Sequence, residues 1–200
     1  MKAKPEWKPL TPATWSDFEA LFGARGACGG CWCMTWRLAP KEFKANGNAG
    51  NKAAMRALVN AGEEPGVLLY REGRAVAWCA VAPREKYVRL ENSRVLAPLD
   101  GKPVWSVSCF FVDRAWRGQG LTVEVLNAAV EFARGKGAKI VEGYPQEVKK
   151  KLPPPFVWTG ILPTFVASQF EEAGRRSPHR PIMRKAGAAA KRGSSKKGAR

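Results

Sequence analysis

The stretch FFVDRAWRGQGLT, residues 110–122, sets the order of the elements around it. An apolar run stops at Val112 and gives way to Asp113. Arg117 follows, then Gly118 and Gly120 one residue apart, and a new apolar pattern starts at Leu121. Upstream, PVWSVSCFFVD is apolar on both faces and predicts a buried strand. Downstream, Leu126, Ala129, Val130 and Ala133 share one helical face, with Glu124, Asn127, Glu131 and Arg134 on the other. A strand therefore breaks off into a glycine turn that opens an amphipathic helix. The first amides of a helix lack internal partners, and with the helix dipole they make an anion site. Arg117 can add a charge-assisted contact. The segment is suited to a pyrophosphate. It is not a GxxxxGK[ST] phosphate loop, and Val123 stands where a dinucleotide fingerprint has its third glycine. A plain strand-to-helix turn is the competing reading.

Working outward, TPATWSDFEALFG predicts a first helix, with Thr14 and Asp17 as a capping pair and Gly23 as its stop. NKAAMRALVNAG predicts a second, capped by Asn51. GVLLYREGRAVAWCAVAP reads as a hairpin turning at Glu72-Gly73. KIVEGYP and RPIMRK are short strands, and ILPTFVASQFEEAG is a final helix. The expected architecture is α+β, a layered α/β arrangement with one central sheet.

The turn with its flanking strand and helix resembles motif A of the GNAT superfamily, the acetyl-CoA-dependent N-acetyltransferases, whose pattern is Q/R-x-x-G-x-G/A. Here it reads Arg117-Gly118-Gln119-Gly120-Leu121-Thr122, preceded by Val112, with Thr122 in the Gly/Ala place. The resemblance implies a mixed, mostly antiparallel sheet flanked by helices. It implies acetyl-CoA held by Phe110, Phe111, Val112 and residues 117–122, with no metal. It also implies that the strands around SVSCFFV and KIVEGYP splay apart to admit the thioester. The implied reaction is acetyl transfer to a primary amine, on a small molecule or peptide, by direct attack in a ternary complex.

Such transfer needs a base for the ammonium, donors for the oxyanion and a proton for the leaving thiolate. In this family a tyrosine on the last helix, four residues before a glycine, often supplies that proton. Phe170 holds that spacing before Gly174. Glu142 and Tyr144, two residues apart on one strand face, are the candidate base and acid; a structural ion pair and a packed tyrosine are the alternative.

Cys28, Cys31 and Cys33 form CxxCxC without a second CxxC, a weak zinc signal. Read as an extended segment, Cys31, Cys33 and Thr35 face one way and Trp32, Met34 and Trp36 the other. Trp32 and Trp36 are the candidate acceptor-binding residues, with core packing as the alternative.

The net charge is +17, from 34 basic and 17 acidic residues, and seven of the basic ones lie in 184–200. That balance suits an anionic ligand and leaves weak nucleic-acid contact through the tail open. No run approaches the ~20 apolar residues of a membrane span. No signal-like segment starts the chain, and the odd cysteine count suits a reducing cytoplasm. The chain thus divides into an extension (1–9), an N-acetyltransferase-like domain (10–184) and a basic tail (185–200), as monomer or homodimer. Two rival functions accompany this reading: a catalytically weak acetyl-CoA-binding regulatory module, and a basic nucleic-acid-binding protein on the same scaffold.

Overall fold

A computed structural model describes residues 5–148, 150 and 152–187. One seven-stranded sheet runs through them. Its strands in chain order are β1 (Trp7–Pro9), β2 (Gly66–Arg71), β3 (Arg74–Pro83), β4 (Trp105–Val112), β5 (Ile140–Gly143), β6 (Glu171–Arg175) and β7 (Pro181–Ala186). Across the sheet the order is β1-β2-β3-β4-β5-β7-β6. Only β4 and β5 pair in parallel; every other neighbouring pair is antiparallel. The helices are α1 (Trp15–Phe22), α2 (Pro40–Asn60), α3 (Val88–Glu91), α4 (Leu121–Gly135) and α5 (Leu162–Ala167). No helix among the described residues is long and apolar enough to cross a membrane.

Two cores sandwich the sheet. α4 buries Leu126, Ala129, Val130 and Ala133 against Val67, Leu69, Cys79 and Val107. On the other face α1, α2 and the loop between them pack Phe18, Phe22, Trp32 and Met55 against Leu68 and Trp78. The β2–β3 turn is made by Glu72 (φ 50°) and Gly73 (φ 72°), both left-handed, as a tight hairpin requires.

β4 carries a bulge. Ala80 pairs with Cys109 and Val81 with Val107, which leaves Ser108 as the extra residue. The alternation changes phase there. Trp105 and Val107 face the α4 core and so do Phe110 and Val112, whereas Cys109 and Phe111 face the opposite core.

The β4–β5 ladder is short, running from Trp105↔Val141 to Val107↔Gly143. Beyond it the strands part, as the resemblance implies, and the segment 158–162 enters the gap. Phe110 N–H donates to Trp158 C=O (2.7 Å), while Gln146 N–H donates to Gly160 C=O (2.9 Å) and Leu162 N–H to Gln146 C=O (2.9 Å). The Phe165 ring lies at the apex, so close to Gly143 and Gly160 that neither position has room for a methyl group.

Several local expectations need correcting. The final helix ends at Ala167 and not near Gly174. Gln169 turns left-handed (φ 60°), and 171–175 becomes an edge strand, because the apolar helical repeat runs out at Phe170. Thr14 does not cap with Asp17: its hydroxyl donates to Pro9 C=O (2.8 Å), while Asp17 accepts from Tyr70 OH (2.7 Å). Asn51 is no cap but lies buried inside α2, donating to Gly30 C=O (3.1 Å); that helix starts at Pro40 and kinks at Gly47. The sheet reaches outside 10–184 at both ends, since Trp7–Pro9 pair with β2, and Lys185 and Ala186 with β5. The rest of the basic tail, 188–200, lies outside the described residues.

Gly143→Ala places a Cβ 2.1 Å from the Phe165 ring. Overpacking of this kind costs about 1–3 kcal/mol. Urea unfolding is expected to show a lowered midpoint at unchanged slope; an unchanged midpoint would mean that the apex is loosely packed.

Candidate active site

The turn after β4 builds the site from its backbone. Asp113 accepts from Ala115 N–H (2.8 Å) and winds the chain through one short turn. Arg117 Nε donates back to Val112 C=O (3.0 Å), tying the turn to the strand end. Gly118 (φ 80°) and Gly120 (φ 78°) are left-handed, and a Cβ on either would meet nothing within 4 Å. The glycines therefore serve backbone conformation and leave open space in front of the turn. Among the described residues, the amides of 118–122 donate to no backbone carbonyl. They lie at the N-terminus of the fifteen-residue α4, where the dipole favours an anion.

This turn is one wall of a cleft of about 560 Å³. Phe110, Phe111, Val112, Arg117, Gly118, Gly120, Leu121 and Thr122 all line it; Gln119 does not. Cys109 continues the same wall toward the bulge. The facing wall is the loop before α2, with Ala27, Cys28, Gly29, Cys31 and Thr35, and Phe43 from α2 itself. Pro154, Pro155, Val157 and Trp158 close the third side. Sequence reasoning missed most of these last two groups. They are small or apolar residues in irregular segments, and no periodicity or motif marks them.

The expected acceptor wall is built differently. Residues 31–36 are not extended, because Trp32 (φ 33°) and Cys33 (φ 54°) are both left-handed. Cys31 and Thr35 still line the cleft, but Cys33 turns inward. Trp32 is buried beside Phe18 and Phe22, with its indole N–H on Asn48, so it is core and not wall. Trp36 stays behind the wall, its ring 5.7 Å from that of Trp158.

Glu142 and Tyr144 do come together, but away from the cleft. Each is 1% exposed and neither lines it. Tyr144 OH donates to Glu142 Oε1 (2.7 Å) and lies 2.7 Å from Ser106 Oγ. Arg84 donates to Tyr144 OH (2.7 Å) and reaches Glu142 Oε1 at 3.3 Å, and Arg184 Nε donates to Oε2 (2.6 Å). Burial, with the Glu142 charge next in weight, pushes the Tyr144 phenol well above its ordinary range. A carboxylate clamped by two guanidiniums, beside a phenol that holds its proton, makes a poor acid/base pair. This network instead ties β4, β5 and β7 to the loop after β3.

The place of the helix tyrosine also shifts. The left-handed residue that ends α5 is Gln169, and four residues before it stands Phe165, not Phe170. Phe165 is fully buried and has no hydroxyl to offer. Among the described residues, no carboxylate, imidazole or phenol lines the cleft, and no group of three His, Cys, Asp or Glu converges as a metal site.

Comparison with known proteins agrees with this geometry. The model of the acetyltransferase (GNAT) family matches residues 32–147, and the chain belongs to that family. Among solved structures, a GNAT-family acetyltransferase from Listeria monocytogenes aligns over 91% of this chain and 94% of its own, at 12% identity and a TM-score of 0.55. One from Streptococcus agalactiae aligns over 92% and 96%, at 12% identity and a TM-score of 0.54. A chain of the NatC complex, solved with a Gag peptide and CoA, aligns over 92% and 99%, at 8% identity and a TM-score of 0.51. At these identities the likeness is one of fold. No curated protein matches the sequence.

Glu142→Gln removes the charge shared by buried Arg84 and half-buried Arg184, which keep Glu91 and Asp100 as partners. Losing a charged hydrogen-bond partner in this way costs about 1.5–3 kcal/mol. A loss of stability of that size is expected in chemical denaturation, with the folded variant keeping the wild-type circular dichroism spectrum. A stable variant with no turnover would return Glu142 to the chemistry.

Proposed function

We propose that this protein transfers the acetyl group of acetyl-CoA to a primary amine, the amine attacking the thioester directly while both are bound. One observation carries the reading. The partnerless amides of the 118–122 turn, at the head of α4, open onto a cleft large enough for an extended ligand. Membership of the GNAT family supports it. In this reading the turn amides and Arg117 hold the pyrophosphate, and the pantetheine arm runs back along β4 past Val112 and Phe111. Phe110 N–H does not serve the arm, since Trp158 C=O already takes it. The acceptor enters between the cysteine-bearing loop and the 154–158 segment. A small molecule or a peptide N-terminus fits this entrance; the NatC chain of the same fold was solved with a peptide.

A second reading has its own support. Phe165 in the tyrosine place and the clamped Glu142 suit a protein that binds acetyl-CoA and turns it over poorly, as a regulatory module. The two readings separate on thiol release in the presence of a panel of amines.

Calorimetric titration with acetyl-CoA tests what they share. The wild type is expected to bind. Gly120→Asp puts a carboxylate into the open space before the turn and forces an unfavourable φ, and a weakening of at least about 100-fold is expected, equivalent to about 2.7 kcal/mol. Equal binding by both proteins would move the cofactor off this turn.

A further inference from the structure

The cleft holds a group that the proposed reaction does not yet use. Once Glu142 and Tyr144 are placed elsewhere, its walls still carry three thiols: Cys28, Cys31 and Cys109. They do not stand alone. Buried Cys33 lies behind the wall with its Sγ 3.4 Å from Cys109 Sγ, and it accepts the Trp78 indole N–H at 2.7 Å. Cys33 stands two residues from Cys31 in the same loop, so Cys31, Cys33 and Cys109 form a row. The row runs from the open cleft to the bulged strand.

Cys31 is the member built for reaction. It lines the cleft, and its thiol donates to Gly26 C=O (3.6 Å) inside the loop. The interaction with Cys33, with smaller help from the surrounding backbone, outweighs burial and lowers the Cys31 thiol to about 6. The loop around it alternates in hand, with positive φ at Gly26, Ala27, Gly29, Gly30, Trp32 and Cys33. Burial drives Cys33 and Cys79 the opposite way, well above the ordinary thiol range, so they remain protonated.

The position along the cleft matters as much as the charge. Cys109 is three residues before Val112, so about 10 Å of strand separates the thiol row from the strand end that Arg117 ties to the turn. If the pyrophosphate occupies the turn and the arm follows β4, the thioester end points at the thiols.

We propose that Cys31 is itself an acetyl acceptor, so that the loaded cleft forms S-acetyl-Cys31 and free CoA. The inference rests on the cofactor reading given above. The Cys31 thiolate attacks the thioester carbonyl carbon and forms a new C–S bond. The carbon–sulfur bond to CoA breaks, and CoA leaves as a thiolate that takes a proton from water at the open mouth. One thioester replaces another, so no oxidant, reductant or further reactant is needed. The product remains an activated acyl group beside the acceptor entrance, ready to pass to an amine. Acetylation at Cys31 is thus a second route into the same reaction and a store of the acetyl group when no amine is present.

The test needs no knowledge of the amine. The full-length protein is incubated with excess acetyl-CoA, acid-quenched and weighed intact, with calorimetry on the same preparation. The expected result is a gain of one acetyl group, removed by neutral hydroxylamine as a thioester is and mapped by peptide mass to Cys31. The label should persist in Cys28→Ser and vanish in Cys31→Ser. Mapping on the wild type decides the site even if Cys31→Ser fails to fold. Binding without any label overturns the inference and leaves the cofactor reading standing, as does a label on Cys28, on Cys109 or on a hydroxylamine-resistant lysine. Absence of binding overturns both.

Discussion

The parting of β4 from β5 after Val107 and Gly143 is the constraint on which the rest of the site depends. Parallel strands joined through a helix pair along their length unless something holds them apart. Here the wedge is Phe165, seated against two residues that have no side chain, Gly143 and Gly160. The segment behind it supplies the missing ladder partner by offering Trp158 C=O to Phe110 N–H. The gap is therefore satisfied polar backbone, and it can persist without collapsing. Behind the gap, Arg84, Arg184, Glu142, Tyr144 and Ser106 lock the short stretch that does pair. The buried carboxylate that resembles a catalytic base thus belongs to the hinge of the V.

Features encoded locally were legible in the sequence. The hairpin at Glu72-Gly73, the apolar stripe of α4 and the RGQG turn each depend on residues within a few positions of one another, and each formed as read. The family resemblance added the mixed, mostly antiparallel sheet and the splay, which local patterns do not contain. What escaped depends on long-range partners or on unusual torsions. Trp32 and Cys33 take left-handed conformations that composition does not signal, so an alternation that looked extended folds back on itself. Glu142 had the right spacing to Tyr144, yet its role is set by Arg84 and Arg184, which lie 58 and 42 positions away in the chain. β6 is an exposed edge strand whose residues EEAGR carry no alternation to find. Phe165 holds the tyrosine place because of where α5 ends, and the helix end is set by Gln169, a residue without turn-forming character.

Much of the aromatic content goes into the two cores. Phe18, Phe22, Trp32 and Trp78 form one contacting group under the cysteine loop, and Phe110, Phe165 and Phe170 another under the V. A loop with so many left-handed residues needs such support, since each non-glycine residue of that kind is held against its own preference. The rigid aromatic floor and the irregular thiol wall are two parts of one construction.

The bulge at Ser108 has a further consequence for how this protein can change over time. Before it, odd-numbered residues of β4 face α4; after it, even-numbered ones do. The strand thus carries two reading frames. The first is locked to β5 through Trp105–Val107, and the second sends Cys109 toward the thiol row and Phe110 into the V. Substitutions along β4 disturb one contact at a time. Loss or gain of a single residue between Val107 and Cys109 would invert the second frame as a block, turning the cysteine into the helix-side core and Phe110 out of its seat. A lineage of this protein can therefore drift in the chemistry of β4 far more easily than in its length.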